Sequence, residues 1–298
     1  MKLPILAATL AALVLPSAVA AREPAPPPYA AAVMESDPGL PTHTVYRPAD
    51  LAALGEKKLP ILAWANGACA NEGDAFAKFL TEIAGHGYLA VAIGPIVGPK
   101  PPASGPAPRP YMNAPPKTTS SQLIDAIDWA VAENVRSGSR YKGRLDVKKI
   151  AVMGMSCGGL QAIEASADPR VTTTGVWNSG VLGTGTGGLP GANVTKASLK
   201  ALHGPAIYVS GDASDIAFGN ANDDFARIDH IPVVRAYEDG VGHGGTYSQP
   251  RGGSFGEVAV AWLNWQLKGD ATGRAMFVGP DCRLCARPGW RVERKGLK

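Results

Sequence analysis

Charge is scarce in this chain. Asp, Glu, Lys and Arg make up 18% of its 298 residues, and the formal net charge is +4. Much of that excess collects at the end (Arg283, Arg287, Arg291, Arg294, Lys295, Lys298). There it reads as a solvated tail, so no nucleic-acid partner is expected. Long apolar runs are missing beyond the N-terminus. No later stretch approaches ~20 apolar residues, which argues against a membrane-spanning helix in the mature chain. Only five histidines are present, and no His/Asp/Glu group has ligand spacing, so neither a metal nor a cofactor is expected. Cysteine stops at four, and Cys282-Arg283-Leu284-Cys285 has no second ligand pair such as zinc would need. No internal repeat is visible.

What is present begins with an export signal. Lys2 gives a positive start, Leu3 to Leu15 is apolar, and Ala18-Val19-Ala20 is an A-x-A cleavage site. Residues 1–20 are therefore expected to be removed, leaving a secreted or periplasmic protein in which disulfides are permitted. A local Cys282–Cys285 disulfide is expected on that ground. Residues 21–41 carry Pro24, Pro26, Pro27, Pro28, Pro38 and Pro41 and read as an extended lead-in. Residues 42–298 are expected to form one domain, with 270–298 as its basic, cysteine-containing tail.

Along that domain strands alternate with helices. Strands are expected at Thr42–Arg47, Lys58–Ala65, Tyr88–Ile93, Ile150–Met153, Val171–Val176, Ala206–Val209 and, last, Pro232–Tyr237. Helices are expected at Asp74–Ala84, after Ser120 or Ser121 as cap, after Gly158, at Phe218–Ile228 and at Glu257–Leu267, with a short one around Lys196–Leu202. A proline-rich loop, Gly94–Pro116, and a glycine-rich excursion, Gly180–Gly204, interrupt the alternation. The pattern specifies an α/β class with a mostly parallel sheet and helices on both faces.

The most informative stretch is Ile150 to Leu160. An apolar strand meets Gly154-Met155-Ser156-Cys157-Gly158, and helix formers follow. Strand, tight turn and helix around G-x-S-x-G describe a nucleophile elbow, in which flanking glycines let strand and helix approach closely. A serine nucleophile needs a base, and the base a carboxylate to orient it. Of the histidines, only His243 follows the last expected strand in a flexible, glycine-surrounded loop. Asp212, Asp215, Asp223 and Asp224 all follow the Ala206–Val209 strand.

The chain order Ser156, acid, His243 is that of the α/β-hydrolases, and from about Thr42 to Leu267 the chain resembles that superfamily. Within it the chain is similar to the secreted dienelactone-hydrolase-like and cutinase or polyester-hydrolase-like branch. The echoes are Trp64-Ala65-Asn66-Gly67-Ala68-Cys69, Gly154-Met155-Ser156-Cys157-Gly158-Gly159 and Gly242-His243-Gly244-Gly245-Thr246-Tyr247. Gly211-x-x-x-Asp215 looks like the acid turn of cutinase-like hydrolases and favours Asp215 over Asp212. Dienelactone hydrolases proper have cysteine at the elbow centre. Here serine is central and Cys157 follows, which implies ordinary ester hydrolysis.

The resemblance further implies an α/β-hydrolase fold with a small lid or none, and an oxyanion hole from the N–H groups of Cys157 and Ala68. Since each donor adjoins or is a cysteine on neighbouring strands, a Cys69–Cys157 disulfide is implied. Trp177 is placed as a wall of the acyl pocket or as a core residue. The expected activity is cleavage of small-molecule or polymeric carboxylic esters by a monomer. The alternatives are an amidase or peptidase with the same residues, and a non-catalytic envelope binding protein. Two patterns are set aside. Gly183-Thr184-Gly185-Thr186-Gly187-Gly188 lacks the following helix of a nucleotide site. Asn193-Val194-Thr195 is a sequon that matters only in a eukaryotic secretory pathway.

Overall fold

A computed structural model describes residues 27, 28, 31–99, 117–183 and 189–297. The expected signal segment, residues 100–116 of the proline-rich loop and residues 184–188 of the glycine-rich excursion lie outside them.

Leu59–Ala65 is buried at every position, which requires cover on both faces of a sheet. Alternation along this strand divides the core. Leu62 and Trp64 point to one side, where Phe79, Phe255 and Trp262 pack; Ile61, Ala63 and Ala65 point to the other, against Leu123, Ile127 and Ala162. The strand is β3 of a nine-stranded sheet comprising β1 (Ala32–Glu35), β2 (His43–Pro48), β3, β4 (Leu89–Ile93), β5 (Leu145–Met155), β6 (Val171–Trp177), β7 (Ala206–Gly211), β8 (Val233–Glu238) and β9 (Trp290–Lys295). The spatial order is β1-β2-β4-β3-β5-β6-β7-β8-β9. Strands β3 to β8 run parallel; β1, β2 and β9 are the antiparallel additions at the two edges. Helices α1 (Ala77–Gly85) and α5 (Gly253–Lys268) cover one face, while α2 (Ser121–Val135), α3 (Cys157–Ala165) and α4 (Phe218–Arg227) cover the other. A four-residue α6 (Ala271–Arg274) follows α5. The α/β class expected from the sequence is what the chain adopts.

Two expectations need correction. The lead-in does not stand apart from the domain expected to start at residue 42, because its extended stretch Ala32–Glu35 joins the sheet as β1 and pairs Glu35 with Val45. Its Glu35 carboxylate also accepts from Arg47 at 2.8 Å. The Pro232–Tyr237 strand is not the last. The supposed tail turns back as β9, which pairs antiparallel with β8 along six residues and buries Trp290, while Cys282 and Leu284 enter the core. The short helix expected around Lys196–Leu202 is present as a 3-10 helix over Lys196–Ala201. No helix among the described residues is long and apolar enough to cross a membrane.

The topology also locates a crevice. From β3 the chain moves outward to β4 on one side, then returns to β5 on the other. The carboxyl ends of β3 and β5 thus form a switch point, where open α/β sheets leave a crevice for ligands.

Candidate active site

At that switch point β5 ends at Met155 and α3 begins at Cys157, so Ser156 alone makes the turn. Its backbone sits at φ 53°, ψ −118°, a sparsely populated conformation costing on the order of 1–3 kcal/mol and held only by its surroundings. Those surroundings are visible. The Ser156 N–H donates to the Trp177 carbonyl at 2.9 Å, and the Ser156 carbonyl accepts from the Ser179 hydroxyl at 2.6 Å. The glycines serve close approach: a Cβ on Gly154 would overlap the Gly158 carbonyl, and one on Gly158 the Ala65 carbonyl. Strand β5, helix α3 and strand β3 therefore meet backbone to backbone, which lifts the Ser156 side chain out of the sheet end.

The loops after β7 and β8 bring Asp215 and His243 to the same place. Ser156 Oγ lies 3.0 Å from His243 Nε2, and His243 Nδ1 lies 2.6 Å from Asp215 Oδ1. A carboxylate beside Nδ1 requires the proton there, so Nδ1–H donates to Asp215 and Nε2 is left to accept from the serine. Asp215 is buried. Burial by itself would raise its carboxyl, but hydrogen bonds from His243, the Ala217 N–H and Asn178 outweigh it and hold the group below the ordinary carboxylate value. Asp212, the competing acid, is spent on its own turn. It accepts from the Ser214 N–H and hydroxyl and from the Gly240 N–H, at the surface. The other histidines are occupied elsewhere: His43 with the Gln122 carbonyl, His86 with Glu82, His203 with the Val171 carbonyl and His230 with the Leu202 carbonyl.

Two participants were not legible in the sequence. Asn178, buried just past β6, donates from Nδ2 to Asp215 Oδ2 at 2.8 Å, and its Oδ1 accepts from the Tyr247 hydroxyl at 2.5 Å. An Asn in a turn after a strand was the only available signal. Below them the Arg235 guanidinium is buried, with Ser210 Oγ accepting at 2.8 Å and Asn222 Oδ1 at 2.9 Å. Burial brings its pKa down to about 10 against the attraction of Asp215.

The Ala68 N–H, in the middle of the turn Gly67–Cys69, and the Cys157 N–H, at the first residue of α3, have no acceptor among the described residues. Cys69 and Cys157 are joined by a disulfide with Cα atoms 5.2 Å apart, and Cys282 is joined to Cys285. Ala68 and Cys69 both lie in left-handed backbone, at φ 54° and 47°. Trp177 is not exposed as a pocket wall: its indole is wholly buried against Phe79 and Phe255. No group of three or more potential metal ligands occurs among the described residues. A cavity of about 340 Å³ lies apart from this cluster, lined by Ala77, Lys78, Thr81, Glu82 and Arg251. None of Ser156, His243, Asp215, Asn178 and Tyr247 lines it. The arrangement as a whole can deprotonate a serine hydroxyl whose following residue, Cys157, carries a free backbone donor. A scan of protein-family models and a comparison with curated protein sequences each gave no match.

Proposed function

We propose that the protein is an exported serine hydrolase that cleaves carboxylic esters through an acyl-enzyme, on a sheet of the α/β-hydrolase type. The observation that carries this is the continuous hydrogen-bonded series Ser156, His243, Asp215, set on a strained elbow whose next residue, Cys157, has a free amide. The order Ser, Asp, His along the chain and the turn between strand and helix support the fold assignment. Two disulfides accord with an oxidising compartment.

In this mechanism Ser156 Oγ attacks the ester carbonyl as His243 Nε2 takes its proton. The resulting oxyanion accepts from the Ala68 and Cys157 N–H groups. Such donors each contribute roughly 10²–10³-fold in rate. His243 then protonates the departing alcohol. Water, deprotonated by the same nitrogen, attacks the acyl carbon, and the imidazolium returns that proton to Ser156 Oγ as its bond to the acyl group breaks and the acid leaves. Asp215 holds the ring in the required tautomer and stabilises the imidazolium formed at each stage.

Labelling with a fluorophosphonate tests the assignment. Folded wild-type protein is expected to label and to hydrolyse p-nitrophenyl esters, and Ser156→Ala to do neither. An unlabelled, folded wild-type protein overturns the proposal.

A further inference from the structure

Asp215 has two carboxylate oxygens to satisfy inside the protein. Oδ1 accepts from His243 Nδ1 at 2.6 Å and from the Ala217 N–H at 2.9 Å. For Oδ2 the partner is Asn178 Nδ2, at 2.8 Å. Asn178 is wholly buried and its backbone is left-handed, φ 42°, a conformation asparagine tolerates better than most side chains. Its amide could in principle face either way. Here both groups near Nδ2, Asp215 Oδ2 and the Gly242 carbonyl at 3.3 Å, are acceptors, while a hydroxyl faces Oδ1. That hydroxyl belongs to Tyr247, whose ring is clamped edge-on among Trp64, Phe76, Phe79 and Phe255. A reversed amide would set its oxygen against the carboxylate and leave the phenol facing an NH₂.

On the hydrolase assignment above, we propose that Asn178 and Tyr247 are positioning residues that orient Asp215 for His243. Tyr247 fixes the sense of the Asn178 amide, the amide fixes the rotation of the Asp215 carboxylate, and the carboxylate fixes the imidazole. Neither residue touches the reacting atoms. Asn178 binds Oδ2 of Asp215, whereas His243 binds Oδ1, and Tyr247 reaches the carboxylate only through Asn178. The charged or titratable groups that face Asp215 are His243 from the loop after β8, Arg235 from β8 and Tyr247 itself. Of these His243 alone is hydrogen-bonded to the carboxylate. Arg235 directs its guanidinium to Asn222, Ser210 and the Ala236 carbonyl and does not replace the Asn178 amide.

Asn178→Gly keeps the left-handed backbone and deletes the amide; Tyr247→Phe keeps the ring and deletes the hydroxyl. A lost hydrogen bond to a charged group predicts a kcat about ten- to a hundredfold lower for Asn178→Gly, and a smaller fall for Tyr247→Phe. KM is expected to stay unchanged in both. An Asp215 carboxylate deprived of a donor attracts protons more strongly, so the acid limb of kcat against pH should move to higher pH. The downfield proton signal of the His243–Asp215 hydrogen bond should shift in both variants, with Asn178→Gly the larger change. Lower melting temperature with an unmoved acid limb and unmoved proton signal would show a purely structural role and overturn the proposal. Should Asn178→Gly fail to fold, Tyr247→Phe decides by the same two readouts. The proton signal requires no substrate. An inactive wild type thus defeats the hydrolase assignment, while the signal still decides the positioning.

Discussion

Cys157, the residue after Ser156, has a free amide, and its sulfur is bonded to Cys69, whose neighbour Ala68 has a second free amide. The bond bridges the carboxyl ends of β3 and β5, across the switch point of the sheet. It also holds two successive non-glycine residues, Ala68 and Cys69, in left-handed backbone, a conformation that persists only where neighbours enforce it.

From this follows a prediction about turnover. Replacing Cys69 and Cys157 together by serine leaves both amides in place but unties them. The kcat for ester cleavage is expected to fall, by an amount bounded by the roughly 10²–10³-fold loss of a whole donor. Stability is expected to fall as well. The two cysteines are 88 residues apart, for which chain entropy sets an upper value of about 4–5 kcal/mol. Urea unfolding and steady-state kinetics on the same variant separate the two effects. An unchanged kcat beside a lowered midpoint would mean that the bond serves the fold and not the amides.

The sequence was informative wherever local pattern and local structure coincide. The apolar run before Gly154, the alternation of strands with helices, and the placing of Asp215 and His243 after strands all depend on a few adjacent residues, and the chain adopts them. Edge strands do not announce themselves in this way. Strand β9 has one neighbour and one solvated side, so it can be polar. Arg291, Glu293, Arg294 and Lys295 in it look like a solvated tail. Only Trp290 and Val292 carry the apolar alternation, too short a signal to separate from coil. The pairing of Asn178 with Tyr247 spans 69 residues, and nothing local encodes it. Trp177 was placed correctly at a strand end, but pattern alone does not say to which side of the sheet a terminal side chain turns.

The corrected role of the C-terminal segment can be measured. Trp290 is 2% exposed and packs against Phe255, their ring centres 6.0 Å apart. Trp290→Ala should cost about 3–5 kcal/mol, the usual range for a buried aromatic cut back to alanine. A dispensable solvated tail would show almost none of that loss. Denaturant unfolding at fixed pH distinguishes the two.

The last prediction concerns pH and Asp224, a carboxylate outside the serine cluster. It is buried on α4, where Oδ1 accepts from Lys196 Nζ at 2.6 Å and Oδ2 from the Val181 N–H at 2.8 Å. Burial pushes its pKa up to about 6, more than Lys196 and the amide bring it down, whereas in the unfolded chain an aspartate titrates near ~3.9. The folded form therefore binds this proton more tightly. The stabilisation is complete below about pH 4, declines as pH rises toward about 6, and is gone above it. The whole contribution is at most roughly 3 kcal/mol. Asp168, Asp215, Asp223, Glu35, Glu82 and Glu133 are shifted the opposite way. Their stabilisation is present above the unfolded carboxylate values near ~4 and is lost as pH falls below them, so the two windows barely overlap. Asp224→Asn keeps the shape and leaves Lys196 its second partner, Asp223, at 2.8 Å. Urea midpoints between pH 4 and 7 (~ one measurement per half unit) should thus decline less with rising pH in Asp224→Asn than in wild type, while acid unfolding below about pH 4 stays the same in both. Every other pH-dependent contribution remote from Asp224 is common to the two proteins and cancels in the difference. Parallel curves throughout that range would show that Asp224 is ionised on folding at little cost, and that the Lys196 pair fully offsets its burial.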